Sequence, residues 1–280
     1  MHTTNFVNLE QADTGRIQHA MQTAYFDVGT GDIILFVHGF SGSKLDFRDQ
    51  LEWFSNNHRA VAYDQRGHGE SSNVGPYNFT TMSNDLLHFM DAIQIERCHL
   101  LGHSLGGMVA IRALLAAPER FSSAILMDTS PYAIDAFDKN TRHQINDMVM
   151  DQGCDALLPN IQSQRQTKAV RRGIDFLGET EHWRRIKVKL EQMDPKAFVD
   201  LSYEITDQDS ILAQLSTCTL PTSVIVGKDD KPFKKAARDI ARTMPNATLV
   251  KIRHAAHCPQ YENASSWRDA INIHLAQHSL

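Results

Sequence analysis

Cysteine is scarce in this chain, with four in 280 residues at Cys98, Cys154, Cys218 and Cys258 and no CxxC pair among them. So few and so scattered, they do not form the framework of a disulfide-stapled secreted domain, and they read as reduced thiols. Basic charge is not in excess either. The formal net charge of −5 offers no positive field to a nucleic-acid backbone. No apolar run reaches the length of about 18 residues that a membrane-spanning helix needs. The opening MHTTNFVNLEQADTGRIQHA lacks the cationic start and apolar stretch of a secretory signal. Low-complexity tracts are missing too. The expectation is a globular cytoplasmic protein with no nucleic-acid and no membrane partner.

What is present is a rhythm. Short β-rich apolar runs alternate with helical patterns: IILFV (33–37), a helix from about Leu45 to Ser55, AVAY (60–63), a helix from about Thr81 to Ile93, HLL (99–101), a helix opened by Ser104, and AILM (124–127). Continuous apolar strands separated by helices predict a mostly parallel sheet covered on both faces. The N-terminal RIQHAMQTAYFDVGTG alternates instead and reads as two strands of an antiparallel edge hairpin. Between Asp128 and Leu220 the rhythm stops and the chain becomes polar and helix-leaning. It resumes at TSVIV (222–226), a helix from about Lys234 to Met244, ATLVKI (247–252) and a final helix from about Ser265 to Gln277. The organisation expected is an α/β core of residues 1–132 and 216–280, interrupted by a helical insertion of residues 133–215. An insertion at the carboxyl ends of parallel strands lies over the place where such sheets bind ligands.

Residues 102–106, GHSLG, fit the pattern G-x-S-x-G. The pattern alone is weak. Its context strengthens it, because a strand precedes it and a helix follows, the setting of a nucleophile elbow. There Ser104 occupies a strained turn, and Gly102 and Gly106 lack the Cβ atoms that would clash as strand and helix close together. A serine hydroxyl needs an oriented base. Of 14 histidines, His257 stands just past the last strand and before the last helix, in KIRHAAHCPQYEN. His254, three residues earlier, is its rival. That pair alone suggests metal binding, but no cluster of further ligands accompanies it, and no metal is expected. The base in turn needs an acid at a strand's carboxyl end. Asp229 and Asp230 follow the strand ending at Val226, and Asp128 follows AILM. The glycine-rich turn in FVHGFSG (36–42) can aim a backbone N–H at a developing oxyanion beside that of the residue after the nucleophile, which nominates Phe40 and Leu105.

With these pieces in order, the chain resembles the α/β-hydrolase fold superfamily along nearly its whole length, through VHGFSGS, AYDQRGHGESS, LLGHSLGGMVA, VGKDD and HAAHCPQYEN. The resemblance implies a mostly parallel eight-stranded sheet, a helical cap and no cofactor. It also implies an acid three residues after the glycine that ends its strand, and counting from Gly227 selects Asp230. DQRGHGES (64–71) resembles a structural signature after the fourth strand. The chain departs from several branches. Its elbow carries Ser104 where epoxide hydrolases and haloalkane dehalogenases have aspartate, and His103 where carbon–carbon bond hydrolases often have asparagine. It has HSLGG where haloperoxidase-like members commonly show FSMGG, and HAAH where many members have a GxGH-like turn. These differences favour hydrolysis of a small carboxylic ester or lactone, with an acyl compound as substrate. Carbon–carbon bond hydrolysis and cofactor-free haloperoxidase or perhydrolase chemistry are the alternatives. A ligand receptor on the same fold is the non-enzymatic one, and it predicts decay of some catalytic part, yet serine, acid, histidine and oxyanion turn are all present. Within the insertion, residues 165–189 hold eight Lys or Arg against three Asp or Glu. A solvated helix face explains this better than an anion-binding role for Arg165, Arg171 or Arg184.

Overall fold

The computed structural model describes residues 2–9, 21–134 and 139–278. In chain order the core begins with β1 (Asn5–Leu9), β2 (Met21–Val28) and β3 (Ile33–Val37). A 3-10 turn at Lys44–Phe47 leads into α1 (Arg48–Phe54), followed by β4 (Arg59–Tyr63), α2 (Phe79–Ala92), β5 (Cys98–His103), α3 (Leu105–Ala116) and β6 (Phe121–Met127). Five helices come next: α4 (Lys139–Gln152), α5 (Leu158–Ser163), α6 (Lys168–Leu177), α7 (Glu179–Glu191) and α8 (Pro195–Asp207). The chain closes with β7 (Thr222–Gly227), α9 (Lys234–Thr243), β8 (Ala247–Ile252), α10 (Pro259–Glu262) and α11 (Ala264–Gln277).

The eight strands form one sheet in the order β1-β2-β4-β3-β5-β6-β7-β8. β2 is antiparallel to both its neighbours, and the other pairings are parallel. Side chains along a strand alternate between faces, so each central strand serves two cores. Leu35, Val37, Leu100 and Leu126 pack on the face carrying α2 and α3, whereas Ile34, Phe36, Leu101 and Ile125 pack with Phe47, Phe54 and Trp267 on the other. Both faces exclude water, which is why these strands read as unbroken apolar runs.

Two local readings change. In the N-terminal pair, Met21–Val28 is a strand, but its antiparallel partner is Asn5–Leu9, with Leu9 opposite Met21; residues 16–20 lie outside the described residues. β5 also runs on through Gly102 and His103, two residues that look like turn formers in sequence. Parallel pairing with Leu126 and Met127 of β6 holds them extended.

Between β6 and β7 the described residues contain no strand. The helices there are tied to the core by polar and aromatic contacts. Arg185 of α7 pairs with Asp49 at 2.5 Å, and Lys189 pairs with Asp46 at 2.5 Å. Asp194 N–H donates to Gly67 O at 3.0 Å, and the Phe198 ring of α8 packs on Phe40 at 4.7 Å.

Candidate active site

Ser104 sits where β5 ends and α3 begins, with φ 53° and ψ −119°. An L-residue pays steric strain in that region, so the surroundings must hold it there. Ser104 N–H donates to Met127 O at 2.9 Å, and Thr129 Oγ1 donates to Ser104 O at 2.7 Å. The turn works only because backbones touch behind it. A Cβ on Gly106 would lie 2.3 Å from His38 O, and one on Gly102 would lie 2.6 Å from Gly106 O.

The Ser104 Oγ lies 2.9 Å from His257 Nε2, and His257 Nδ1 lies 2.8 Å from Asp230 Oδ2. A carboxylate only accepts, so Nδ1 carries the proton and donates it to Asp230. Nε2 is left free to accept from the serine hydroxyl. Ser104 and Asp230 are buried while the imidazole is partly open. Phe233 stacks on that ring at 4.8 Å. The loop that carries the ring is clamped from behind: Glu262 accepts from Ala256 N–H at 2.8 Å and from Cys258 N–H at 3.0 Å, one bond on either side of His257.

The other candidates go elsewhere. Asp229 is exposed and pairs with Arg172 of α6 at 3.2 Å. His254 is exposed in a turn of positive φ. Asp128 is fully buried and joins the group from behind, with its Oδ1 accepting from Gly227 N–H at 2.9 Å. One side-chain N or O atom each of Asp128, Asp230 and His257 lies within 4.8 Å of the others, close enough in spacing to share a cation. Both imidazole nitrogens of His257 are already engaged, however.

The turn after β3 lies against the serine: a Cβ on Gly39 would be 3.1 Å from Ser104 Cβ. Phe40 follows in that turn and lines the same cavity as Ser104, while the Leu105 N–H belongs to the first turn of α3 and has no intrahelical acceptor. His38 fixes this turn. Gln65 N–H donates to His38 Nε2 at 3.1 Å, which leaves Nδ1–H to donate to Gly39 O at 2.8 Å. The DQRGHGES segment therefore serves as a buttress. Besides Gln65 it supplies Asp64, which binds Lys44 Nζ at 2.6 Å, and His68, whose ring lies 5.0 Å from that of His38.

Sequence reasoning passed over His103 as a mark of family branch. Its Nε2–H donates to His257 O at 2.7 Å, so the residue before the serine helps to seat the histidine loop. Burial, with His257 adding to it, pushes the His103 pKa down to about 3, which keeps the ring neutral. Position within the elbow is the signal that could have found it. The cationic run of 165–189 is mostly paired: Arg165 with Glu179, Arg184 with Glu181, Arg185 with Asp49 and Glu181, Lys187 with Glu191, and Lys189 with Asp46. Arg171 reaches Gln166.

A cavity of about 700 Å³ opens over Ser104 and His257. Phe40, Ile134, Ile205 and Phe233 give it apolar walls, and the paired Asp46 and Lys189 line one side.

The sheet order and the strand-to-helix turn that carries Ser104 define an α/β hydrolase. A profile of the alpha/beta hydrolase family matches residues 34–269, and the chain belongs to that family. A putative carbamate hydrolase RutD from Pseudomonas syringae pv. syringae is 25% identical over 261 residues, covering 85% of this chain and 91% of that protein. Ethanol acetyltransferase 1 from Hanseniaspora uvarum is 40% identical over 100 residues, or 35% of this chain, and the match spans only 30% of that protein's length. Among solved structures, a malate-bound thermophilic esterase from Thermogutta terrifontis superposes with a TM-score of 0.82 at 23% identity, over 98% of this chain and 100% of that one. That last likeness concerns the fold. No helix among the described residues is long and apolar enough to cross a membrane.

Proposed function

We propose that the protein is a serine hydrolase of small carboxylic esters or lactones, working through an acyl-enzyme. The observation that carries this reading is the unbroken line from Ser104 Oγ to His257 Nε2 at 2.9 Å and from Nδ1 to Asp230 at 2.8 Å, beside the turn at Phe40. Ser104 Oγ attacks the carbonyl carbon as its proton passes to His257 Nε2. The Phe40 and Leu105 N–H groups receive the tetrahedral oxyanion. His257 then gives its proton to the leaving alkoxide, and a water activated by the same ring hydrolyses the acyl-enzyme. Asp230 holds the productive tautomer and balances the imidazolium. In this reading no metal or cofactor takes part, and the thiols stay reduced in the cytoplasm.

The apolar walls of the cavity suit a compact, uncharged acyl group, and its charged lining residues already have partners. Residues 133–215 act as a cap over it. The test is a panel of esters, lactones, thioesters and carbamates of varied chain length, run beside fluorophosphonate labelling of wild type and Ser104→Ala. Carbamates belong in the panel because the relative aligned along most of the chain carries that name. Ester or lactone turnover, and labelling that vanishes in Ser104→Ala, are expected. Labelling that persists in that variant, or turnover of carbamates alone, counts against the reading.

A further inference from the structure

Asp128 stands at the end of β6, takes φ 44°, and is wholly sealed from water. Its carboxyl has two oxygens and only one donor. Oδ1 accepts from Gly227 N–H at 2.9 Å, while Oδ2, equally buried, meets no N–H or O–H. What faces Asp128 is the Asp230 carboxyl, itself an acceptor, which already takes the His257 Nδ1 proton.

Two ionised carboxylates pressed together out of water repel each other, and each must find its own donors. The other groups around them do not supply a counter-charge for both. Glu262, on α10, is a further acid, occupied by the Ala256 and Cys258 amides. Cys258 is half-buried, and desolvation of its thiol holds the proton there more tightly than usual. Arg172 on α6 reaches Asp229 and Glu262, not Asp128. His257 can balance one negative charge. Protonating Asp128 resolves both problems at once: its orphaned oxygen becomes a donor, and the Asp230 carboxylate beside it is the acceptor. Burial, and next the Asp230 charge, raise the Asp128 pKa well above the usual carboxylate range.

From this geometry we infer that Asp128 is a positioning residue in the form of a neutral carboxylic acid, its Oδ2 hydroxyl donating to Asp230 and so aiming that carboxylate at His257. The pair then carries one negative charge, matched to one imidazolium. The inference rests on the reading of His257 as the base and Asp230 as its acid.

The experiment compares wild type, Asp128→Asn and Asp128→Ala. The His257 ring is titrated by NMR in the resting protein, with chelator present, and kcat and KM are measured on an ester that the wild type turns over. Asparagine keeps both an acceptor for Gly227 and a donor for Asp230, and it is as neutral as a protonated Asp128. Asp128→Asn is therefore expected to leave the His257 midpoint and kcat close to wild type. Asp128→Ala removes the donor, and a mispositioned acid is expected to lower kcat by about 10- to 100-fold at similar KM. A His257 midpoint that falls by about one unit or more in Asp128→Asn overturns the inference, because it shows that a negative charge was removed. So does an alanine variant as active as the asparagine one, or a wild-type midpoint that moves when chelator strips a bound cation. The titration needs no turnover, so absence of ester hydrolysis would sink the functional reading without touching this one. If the alanine variant does not fold, the asparagine titration still decides.

Discussion

Asp229 and Asp230 are neighbours in sequence with opposite fates. Adjacent side chains in an extended turn point in different directions. Asp230 turns inward to His257, at 5% exposure, while Asp229 turns outward to Arg172. Asp230→Asn is expected to keep the fold and lose about 10⁴ in ester turnover, since the amide favours the wrong imidazole tautomer. Asp229→Asn, which alters only a surface pair, is expected to stay within about twofold of wild type. Side-by-side kinetics on one ester read the contrast, and comparable losses in the two variants would undo the assignment. Ser104→Ala is expected to lower turnover by several orders of magnitude, leaving what the oxyanion donors and binding supply. A folded variant that retains near-normal rates would show that another group is the nucleophile.

At the scale of elements, the site is an outcome of close approach between β5, α3 and the turns beside them. Gly106 lets α3 start against the His38 carbonyl, just past the end of β3. Gly106→Ala pushes a methyl into that carbonyl, which has no side-chain freedom with which to yield. The expected cost is about 2–3 kcal/mol of stability, the upper range for overpacking, with a fall in turnover as the Phe40 turn moves. Chemical denaturation and ester kinetics measure the two effects, and an unchanged midpoint would argue against the tight fit. Glu262 makes a parallel case on the histidine loop. Glu262→Ala frees both amides that bracket His257, and an expected loss of about 10- to 100-fold in kcat follows from the displaced ring. Normal kcat in a folded Glu262→Ala protein would mean that the loop is held by His103 and packing alone.

Across the whole molecule, burial gathers an unusual set of histidines. Burial, as the largest cause, lowers the pKa of His38 and His99 to about 4 and of His68, His103 and His274 to about 3. Two of them form a chain through the sheet: His99 Nδ1 and His274 Nε2 each lie 2.7 Å from Ser123 Oγ, and Ser223 Oγ lies 2.8 Å from His274 Nδ1. Folded, these rings stay neutral well below the ordinary histidine pKa of about 6.5, whereas the unfolded chain takes up protons there. Their contribution is fully present above about pH 6.5 and is lost as pH falls toward 4. The unfolding free energy is expected to drop between pH 7 and pH 5 with a slope steeper than one proton, or about 1.4 kcal/mol per pH unit. Urea titrations at several pH values give that slope, and a flat profile would mean that the rings ionise freely in the folded state.

The sequence by itself determined the parallel sheet, because strands buried on both faces must be apolar throughout, as IILFV and AILM are. It also determined the serine turn, since GHSLG between a strand and a helix leaves few other geometries. It nominated His257 through its place after the last strand and left Asp128, Asp229 and Asp230 as acids, among which only the family resemblance selected Asp230. Which groups surround them was decided only by tertiary structure. Asp128 is marked in sequence only by its place after AILM and His103 only by its place in the elbow, while no pattern marks Glu262; they reach His257 or its flanking amides across separations of 129, 154 and 5 residues through the ends of β6 and β5 and the turn into α10. Strand pairing between Asn5–Leu9 and β2 was hidden for a related reason, because alternation identifies a strand but not its partner. Local propensity acts within a few residues, whereas burial, hydrogen-bond satisfaction and charge balance are settled among groups that only the folded chain brings together.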